Sequence, residues 1–384
     1  MVDEPLDAPV RALANLSELV ERLPAEERVL FYRIYDLRCV TGQLTVPETM
    51  AGWVKARFGD LEAVQTQQIV KITNRITLEG TLYNPVRGER PLDIVSSEDV
   101  DAAIEGTRGG PFCTPETLTP EDVFGRVRGK HCLTASNVAK YDGYHGLVIF
   151  QEHHPLRFTH QEVSDYILTA LRWAKEAHNV DREAKYFFLM WNCLWKGGAS
   201  IVHGHMQMTL GRGMHYARIE HWRRQALLYR LAHGANFFED LVRVHAALGL
   251  VAEVGGARVL ASLTPVKDKE LLVISPTRWI HNDDMIHAIS VALHAYRVSL
   301  GVQSFNLALF QRPLDAAETT SPLDGSKGWE DWDGFPAVVR IVDRGDLSAR
   351  AADVGCMELY ASSVVSSDPF ATIEAVSSAA SSQV

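Results

Sequence analysis

The sequence predicts an α+β fold: a duplicated unit of antiparallel sheet with helices, preceded by a helical N-terminal extension. Three observations carry this reading. Short runs of β-branched and aromatic residues alternate with amphipathic stretches of helical period. The order strand, helix, strand appears twice at nearly constant separation, with a further strand in each copy. Residues 1–70 read as helical, on a stripe of apolar residues at helical spacing from Leu13 to Leu23 and a second run after it.

In chain order, Leu13, Leu16, Leu19, Val20 and Leu23 form the first helical stripe, Pro24 closes it, and a second run begins at Glu26. From Ile72 the pattern changes to short β-type runs, Ile72-Thr73 and Ile76-Thr77-Leu78, followed by the turn-rich Tyr83 to Gly88. A boundary placed there gives an extension over 1–70, a first repeat over 71–215 and a second, degenerate repeat over 216–384. In the first repeat Leu147 to Phe150 reads as a buried strand. Thr159 and Glu162 have capping-box spacing before the stripe Val163, Ile167, Leu171 and Ala174. Tyr186 to Trp191 is a second strand, and a glycine-containing bend leads into an extended run from Ser200 to Gln207. The second repeat offers Leu271 to Ser275, a helix from Asp283 to Tyr296, and strands at Phe305 to Phe310 and Val338 to Val342. The Ser- and Ala-rich tail from Ser362 is expected to fray after Pro369.

Composition excludes several classes of function. The 384 residues are 46% hydrophobic, enough for a substantial core, yet no apolar run is long enough to span a membrane. The opening MVDEPLDAP has neither the basic patch nor the apolar run of a secretory signal, so a cytoplasmic protein is expected. With 38 basic against 48 acidic residues the net charge is −10, which repels nucleic acid while leaving room for a small anion held by a few arginines. The five cysteines are scattered and form no C-x-x-C pair, as expected of reduced thiols.

The chemistry concentrates between Asn192 and Gln207. If Ser200 to Gln207 is extended, His203, His205 and Gln207 share one face, with neighbours roughly 7 Å apart. His-x-His alone fits a solvated strand face, or a metal pair, as well as a catalytic site. The upstream Gly197-Gly198-Ala199-Ser200 adds a close backbone approach and a hydroxyl, the parts that cradle a phosphate. An imidazole whose other nitrogen is hydrogen-bonded can attack phosphorus and hold a nucleotidyl group as a phosphoramidate. An amide such as Gln207 can donate to phosphate oxygens without acting as an acid.

This run resembles the active-site segment of the galactose-1-phosphate uridylyltransferase family. That family is the transferase branch of the histidine-triad superfamily and includes ADP-glucose and dinucleoside-polyphosphate phosphorylases. The resemblance implies a duplicated histidine-triad-like half-barrel in which His205 is the nucleophile, His203 and Gln207 flank it, and Asn192 and Ser200 contact phosphates. Arg87-Gly88-Glu89-Arg90-Pro91 is similar to the family's R-x-x-R-P, which implies diphosphate binding by Arg87 and Arg90; alone, the two would fit a solvated turn. Asn137 stands where the family has a nucleoside-contacting Asn, and His145 to Ile149 resembles its H-E-V-I strand. A homodimer is implied, with the second repeat, through Glu358, completing the partner's acceptor site.

Departures from the family pattern bear on metal and sugar. Where the family has Cys-Pro-Phe-Cys, this chain has Gly110-Pro111-Phe112-Cys113. Cys113, His145 and His203 are then the ligands left for Zn²⁺, with water as a fourth, and loss of the site is the alternative. His153, His154, His287 and His294 read as surface or helix-face residues. Pro336 to Ile341 lacks the family's second histidine pair, so no second metal is expected. Glu358 resembles a sugar-contacting Glu, but the family's downstream Gln falls near Val364, so galactose 1-phosphate is expected to be a poor acceptor. The function expected is transfer of a nucleoside monophosphate from a nucleoside diphosphate sugar or dinucleotide, through His205, to a phosphate or sugar 1-phosphate. A histidine-triad-like hydrolase and an inactive nucleotide-binding regulatory module are the alternatives.

Overall fold

The computed structural model describes residues 10–89, 100–275, 282–316, 331–349 and 352–382. Arg90 lies outside them. The architecture is mixed α+β, with a four-stranded and a nine-stranded sheet. The larger sheet contains β4 (Cys132–Ser136), β5 (Tyr144–Phe150), β6 (Ala184–Cys193), β7 (His205–Arg212), β8 (Val251–Val254), β9 (Ala257–Ala261), β10 (Leu271–Ile274), β11 (Phe305–Phe310) and β12 (Val338–Asp343). Its strand order is β4-β5-β7-β6-β11-β12-β10-β9-β8. Read outward from the centre, β6-β7-β5-β4 and β11-β12-β10-β9 repeat one another, and β6 meets β11 antiparallel with Asn192 opposite Asn306. This palindrome is what a duplicated half-barrel produces when the two copies join edge to edge, each hiding the edge that it would otherwise expose.

Short helices α5 (Val100–Glu105) and α6 (Pro115–Leu118) precede this sheet, and α8 (Ala217–His233) and α9 (Phe237–Leu248) link β7 to β8. Between equivalent strands the two halves carry α7 (His160–Val180) and α10 (Asp283–His294), which pack on each other. Thr159 caps α7 as the sequence predicts: its hydroxyl accepts from the Glu162 amide, and Glu162 reaches back to the Thr159 amide at 2.8 Å. The apolar stripe Val163, Ile167, Ala170, Trp173, Ala174 and Ala177 is buried against one face of the sheet. Gly146 marks the closest approach, since a Cβ there would lie 2.7 Å from the Trp173 ring and 2.9 Å from Met208. Gly146→Ala should therefore cost about 1–3 kcal/mol by overpacking, read as a lower urea midpoint at unchanged m-value. An unchanged midpoint would show that the strand can lift off the helix freely.

The N-terminal segment differs from the helical reading. α1 (Leu16–Glu21) and α2 (Ala25–Ile34) form as expected, but Tyr35–Gln43 is a strand, β1. It pairs over its whole length with β2 (Thr66–Asn74), around α3 (Glu48–Phe58) and α4 (Leu61–Gln65). The partner strand is distant in sequence, so local periodicity does not reveal the pairing. Ile76 to Leu78 is a turn, because the Asn74 side chain accepts from the Ile76 and Thr77 amides at 2.9 and 3.0 Å. β3 (Gly80–Tyr83) follows, and β13 (Ser363–Val365) joins it in parallel. Arg340 of β12 ties this sheet to the larger one through Glu79 at 2.6 Å and Glu270 at 2.5 Å.

The tail also differs from expectation. Instead of fraying, Pro369–Ser382 forms α12, burying Phe370, Ile373, Val376 and Ala379 at helical spacing against α10, β8 and β9. Its serines return hydrogen bonds to carbonyls one turn back, and the Leu13 amide donates to Asp368 at 2.8 Å, joining the two ends of the chain. Among the described residues no helix is long and apolar enough to cross a membrane.

Candidate functional site

The site lies on the sheet face opposite α7. The bend after β6 turns sharply. Leu194 is buried with φ +62° and Gly198 has φ +88°, while a Cβ on Gly197 would meet the Cys193 carbonyl at 2.5 Å and the Phe305 carbonyl at 2.9 Å. Gly197 is there because the bend presses onto β6 and β11, and Gly198 because its φ lies in the left-handed region. Ser200 is exposed in this bend. Asn192 is half-buried at the end of β6, and its Oδ1 accepts from Asn306 Nδ2 at 2.8 Å. Asn306 also donates to the Gly197 carbonyl at 2.7 Å and accepts from Arg344. Sequence reasoning missed Asn306; its only signal is a polar residue in a strand that is otherwise apolar.

The extended run starts later than predicted. β7 begins at His205, so His205 and Gln207 share a strand face while His203 stands before the strand and turns elsewhere. His205 is buried, and its Nδ1 donates to the His203 carbonyl at 2.8 Å. That bond leaves the lone pair on Nε2. Burial pushes the ring down to about 4, so it is neutral near pH 7. Phe112 meets His205 edge-on at 5.1 Å and belongs to a small apolar cluster with Ala135, Leu147 and Ile149, against which Ile201 packs.

His203 instead joins Cys113 and His153, a trio whose ligand atoms all lie within 4.8 Å of one another. His203 Nε2 donates to the Phe150 carbonyl at 2.8 Å, and His153 Nε2 to the Ile104 carbonyl at 3.0 Å. With Nε2 of each ring committed to a carbonyl, the two Nδ1 atoms face inward, 3.0 Å apart and each 3.5 Å from Cys113 Sγ. Facing lone pairs repel unless a proton or cation lies between them. Two imidazoles and a thiol, with backbone carbonyls fixing both tautomers, are a donor set that fits Zn²⁺. Burial lowers the His203 pKa, which favours its neutral ligand form.

This corrects the expected ligand set: His153, and not His145, completes the trio. β5 and β7 are antiparallel, so the residues just after β5 meet those just before β7, which brings His153 to His203. His145 pairs with Thr209, four residues back along β5 from Ile149, and roughly 13 Å of strand separates those two positions. Nor are His153 and His154 surface residues. Each is only 3% exposed, and His154 bonds Asp101 at 3.0 Å. His145 lies beside Gln207, with Nε2 3.0 Å from Oε1, and beside Asn137, whose Nδ2 is 3.2 Å from the same nitrogen.

Arg87 and Glu358 lie together beside the bend after β6. They line a cleft of about 700 Å³ with Lys196, Lys267, Arg344 and Val364, and among the described residues none of β5 or β7 is in its walls. Glu358, in the short helix α11 (Cys356–Tyr360), accepts from the Gly355 amide at 2.8 Å.

No protein-family model matches the sequence, and no curated protein does. Solved structures do match. An ADP-glucose phosphorylase from Arabidopsis thaliana with bound ADP-glucose is 16% identical, with a TM-score of 0.57 over 79% of this chain and 96% of that one. A GalT-like protein from the same plant is also 16% identical, with a TM-score of 0.55 over 70% and 92%. A uridylyltransferase is 13% identical, with a TM-score of 0.54 over 82% and 99%. At such identities the likeness is one of fold: the chain shares the fold of these structures.

Proposed function

We propose that the chain is a nucleotidyltransferase or phosphorylase that moves a nucleoside monophosphate from a nucleoside diphosphate sugar or dinucleotide to a phosphate-bearing acceptor. The observation that carries this reading is the His205 ring, neutral, with Nδ1–H committed to a carbonyl and Nε2 on the face that Gln207 shares. Nε2 attacks the α-phosphorus, the P–N bond forms, and the P–O bond to the departing sugar 1-phosphate, or to the second nucleotide of a dinucleotide, breaks. An acceptor phosphate oxygen then attacks the same phosphorus and the P–N bond breaks, returning the lone pair to Nε2. The Nδ1–H bond to the His203 carbonyl steadies the positive ring of the intermediate. Gln207 holds the phosphoryl oxygens and offers no proton shuttle to water, which favours transfer over hydrolysis. Cys113, His153 and His203 would hold Zn²⁺, which when bound ties the segment before β7 to the loop after β5.

Arg87 and Glu358 share a cleft with Lys196 of the bend after β6 and with Arg344, which bonds Asn306; the reading includes a homodimer in which the partner completes the acceptor site. Arg87→Ala should weaken binding of ADP-glucose, measured by calorimetry, by about 1–3 kcal/mol, and Arg87→Lys should not restore a bidentate contact. Unchanged binding in both variants would return Arg87 to a solvated turn.

The test of the function is incubation with α-³²P-labelled nucleotide sugars, followed by isolation of an acid-labile protein adduct. Parallel initial-rate lines are expected when acceptor and donor are varied together. Intersecting lines, or release of free nucleoside monophosphate at full rate without acceptor, would favour the hydrolase instead.

A further inference from the structure

His145 is fully buried on β5, and its ring is oriented from every side. The Tyr141 amide donates to its Nδ1 at 2.9 Å, and the Tyr141 ring stacks on it at 4.5 Å with 23° between the planes. A backbone N–H can only donate, so Nδ1 must accept, and a neutral imidazole then carries its proton on Nε2. Burial lowers the pKa of the ring, which keeps it neutral. Nε2–H therefore points at Gln207 Oε1, 3.0 Å away. Asn137 Nδ2 is also near this nitrogen, but two donors do not bond. Asn137 is held instead by its Oδ1, which accepts from the Ala139 amide at 3.0 Å.

The consequence concerns the Gln207 carboxamide, whose oxygen and nitrogen ends are nearly the same size. Only the NH₂ end attracts a phosphate oxygen; the other end repels it. We propose that His145 is a positioning residue that selects the productive end. By taking Oε1 as the acceptor of its Nε2–H, it leaves the Gln207 NH₂ free for the nucleotidyl phosphate. The proposal rests on the reading of Gln207 as a phosphate donor. It gives His145 a role at the reacting group, separate from the Cys113, His153 and His203 trio.

Two measurements test it. Long-range ¹H–¹⁵N NMR of the full chain should find His145 in the Nε2–H tautomer at neutral pH; an Nδ1–H tautomer or a doubly protonated ring overturns the proposal without any reference to activity. The second follows adduct formation from α-³²P-labelled ADP-glucose. His145→Leu should slow it by about 10- to 100-fold, in line with the loss of a group that orients another, while His145→Gln, whose amide can donate to Oε1, should stay within about threefold of wild type. In a Gln207→Ala background His145→Leu should have no further effect, because there is no amide left to orient. The same loss in both backgrounds, or no rescue by Gln in a variant that melts like wild type, would make His145 a packing residue and overturn the proposal. If the wild-type chain forms no adduct with any nucleotide sugar or dinucleotide, the nucleotidyltransferase reading falls, and the tautomer still decides whether His145 orients Gln207.

Discussion

Replacing His205 by Asn removes the acid-labile nucleotidyl adduct and lowers transfer by at least about four orders of magnitude, the scale on which loss of a covalent nucleophile is felt. Asn is chosen over Ala because His205 is buried: an Asn amide can keep the donor to the His203 carbonyl, now made by Nδ1 at 2.8 Å, while supplying no lone pair that attacks phosphorus. Melting temperature and nucleotide binding should therefore change little. Adduct formation near the wild-type rate in His205→Asn would remove His205 from the mechanism. Loss of the adduct together with loss of the folded state would call for His205→Gln as the second variant.

The second large effect concerns the trio around His203. Freshly purified protein should contain about one equivalent of zinc per chain, and His153→Ala or Cys113→Ser should lose it, because three ligands leave no redundancy. A chelator should destabilise wild type by about 3–4 kcal/mol, the value for a metal present at a few hundred times its dissociation constant, and so lower the melting temperature by several degrees. The His153→Ala protein should be insensitive to chelator. His145→Leu serves as the contrast: it should keep its zinc, because His145 lies beside Gln207 and outside the trio. Zinc retained in His153→Ala but lost in His145→Leu would restore the ligand set expected from sequence.

Much of the architecture can be read directly from local pattern. The capping box at Thr159, the buried stripe of α7 and the strands at Leu147, Tyr186, Leu271, Phe305 and Val338 all express periodicities of 3.6 or 2 that a short window contains. The repeated order of these elements also made duplication legible. The bend at Gly197 could be anticipated because glycine pairs mark places where backbones must approach closely.

What only the tertiary structure decided are the relations between segments distant along the chain. β1 is a strand because β2 is there to pair with it. α12 is ordered because α10, β8 and β9 offer an apolar surface that a Ser- and Ala-rich tail does not advertise. The ligand trio is the clearest case. His145 and His153 are both histidines near one strand, and no spacing rule separates them. The antiparallel pairing of β5 with β7 does: it delivers the residue beyond the end of β5 to His203 and sets His145 beside Gln207, one histidine for the metal cluster and the other for the amide. Side-chain alternation is a property of single strands, and so belongs to the sequence. Which ends of two strands meet is set by register, and register exists only once the sheet has formed.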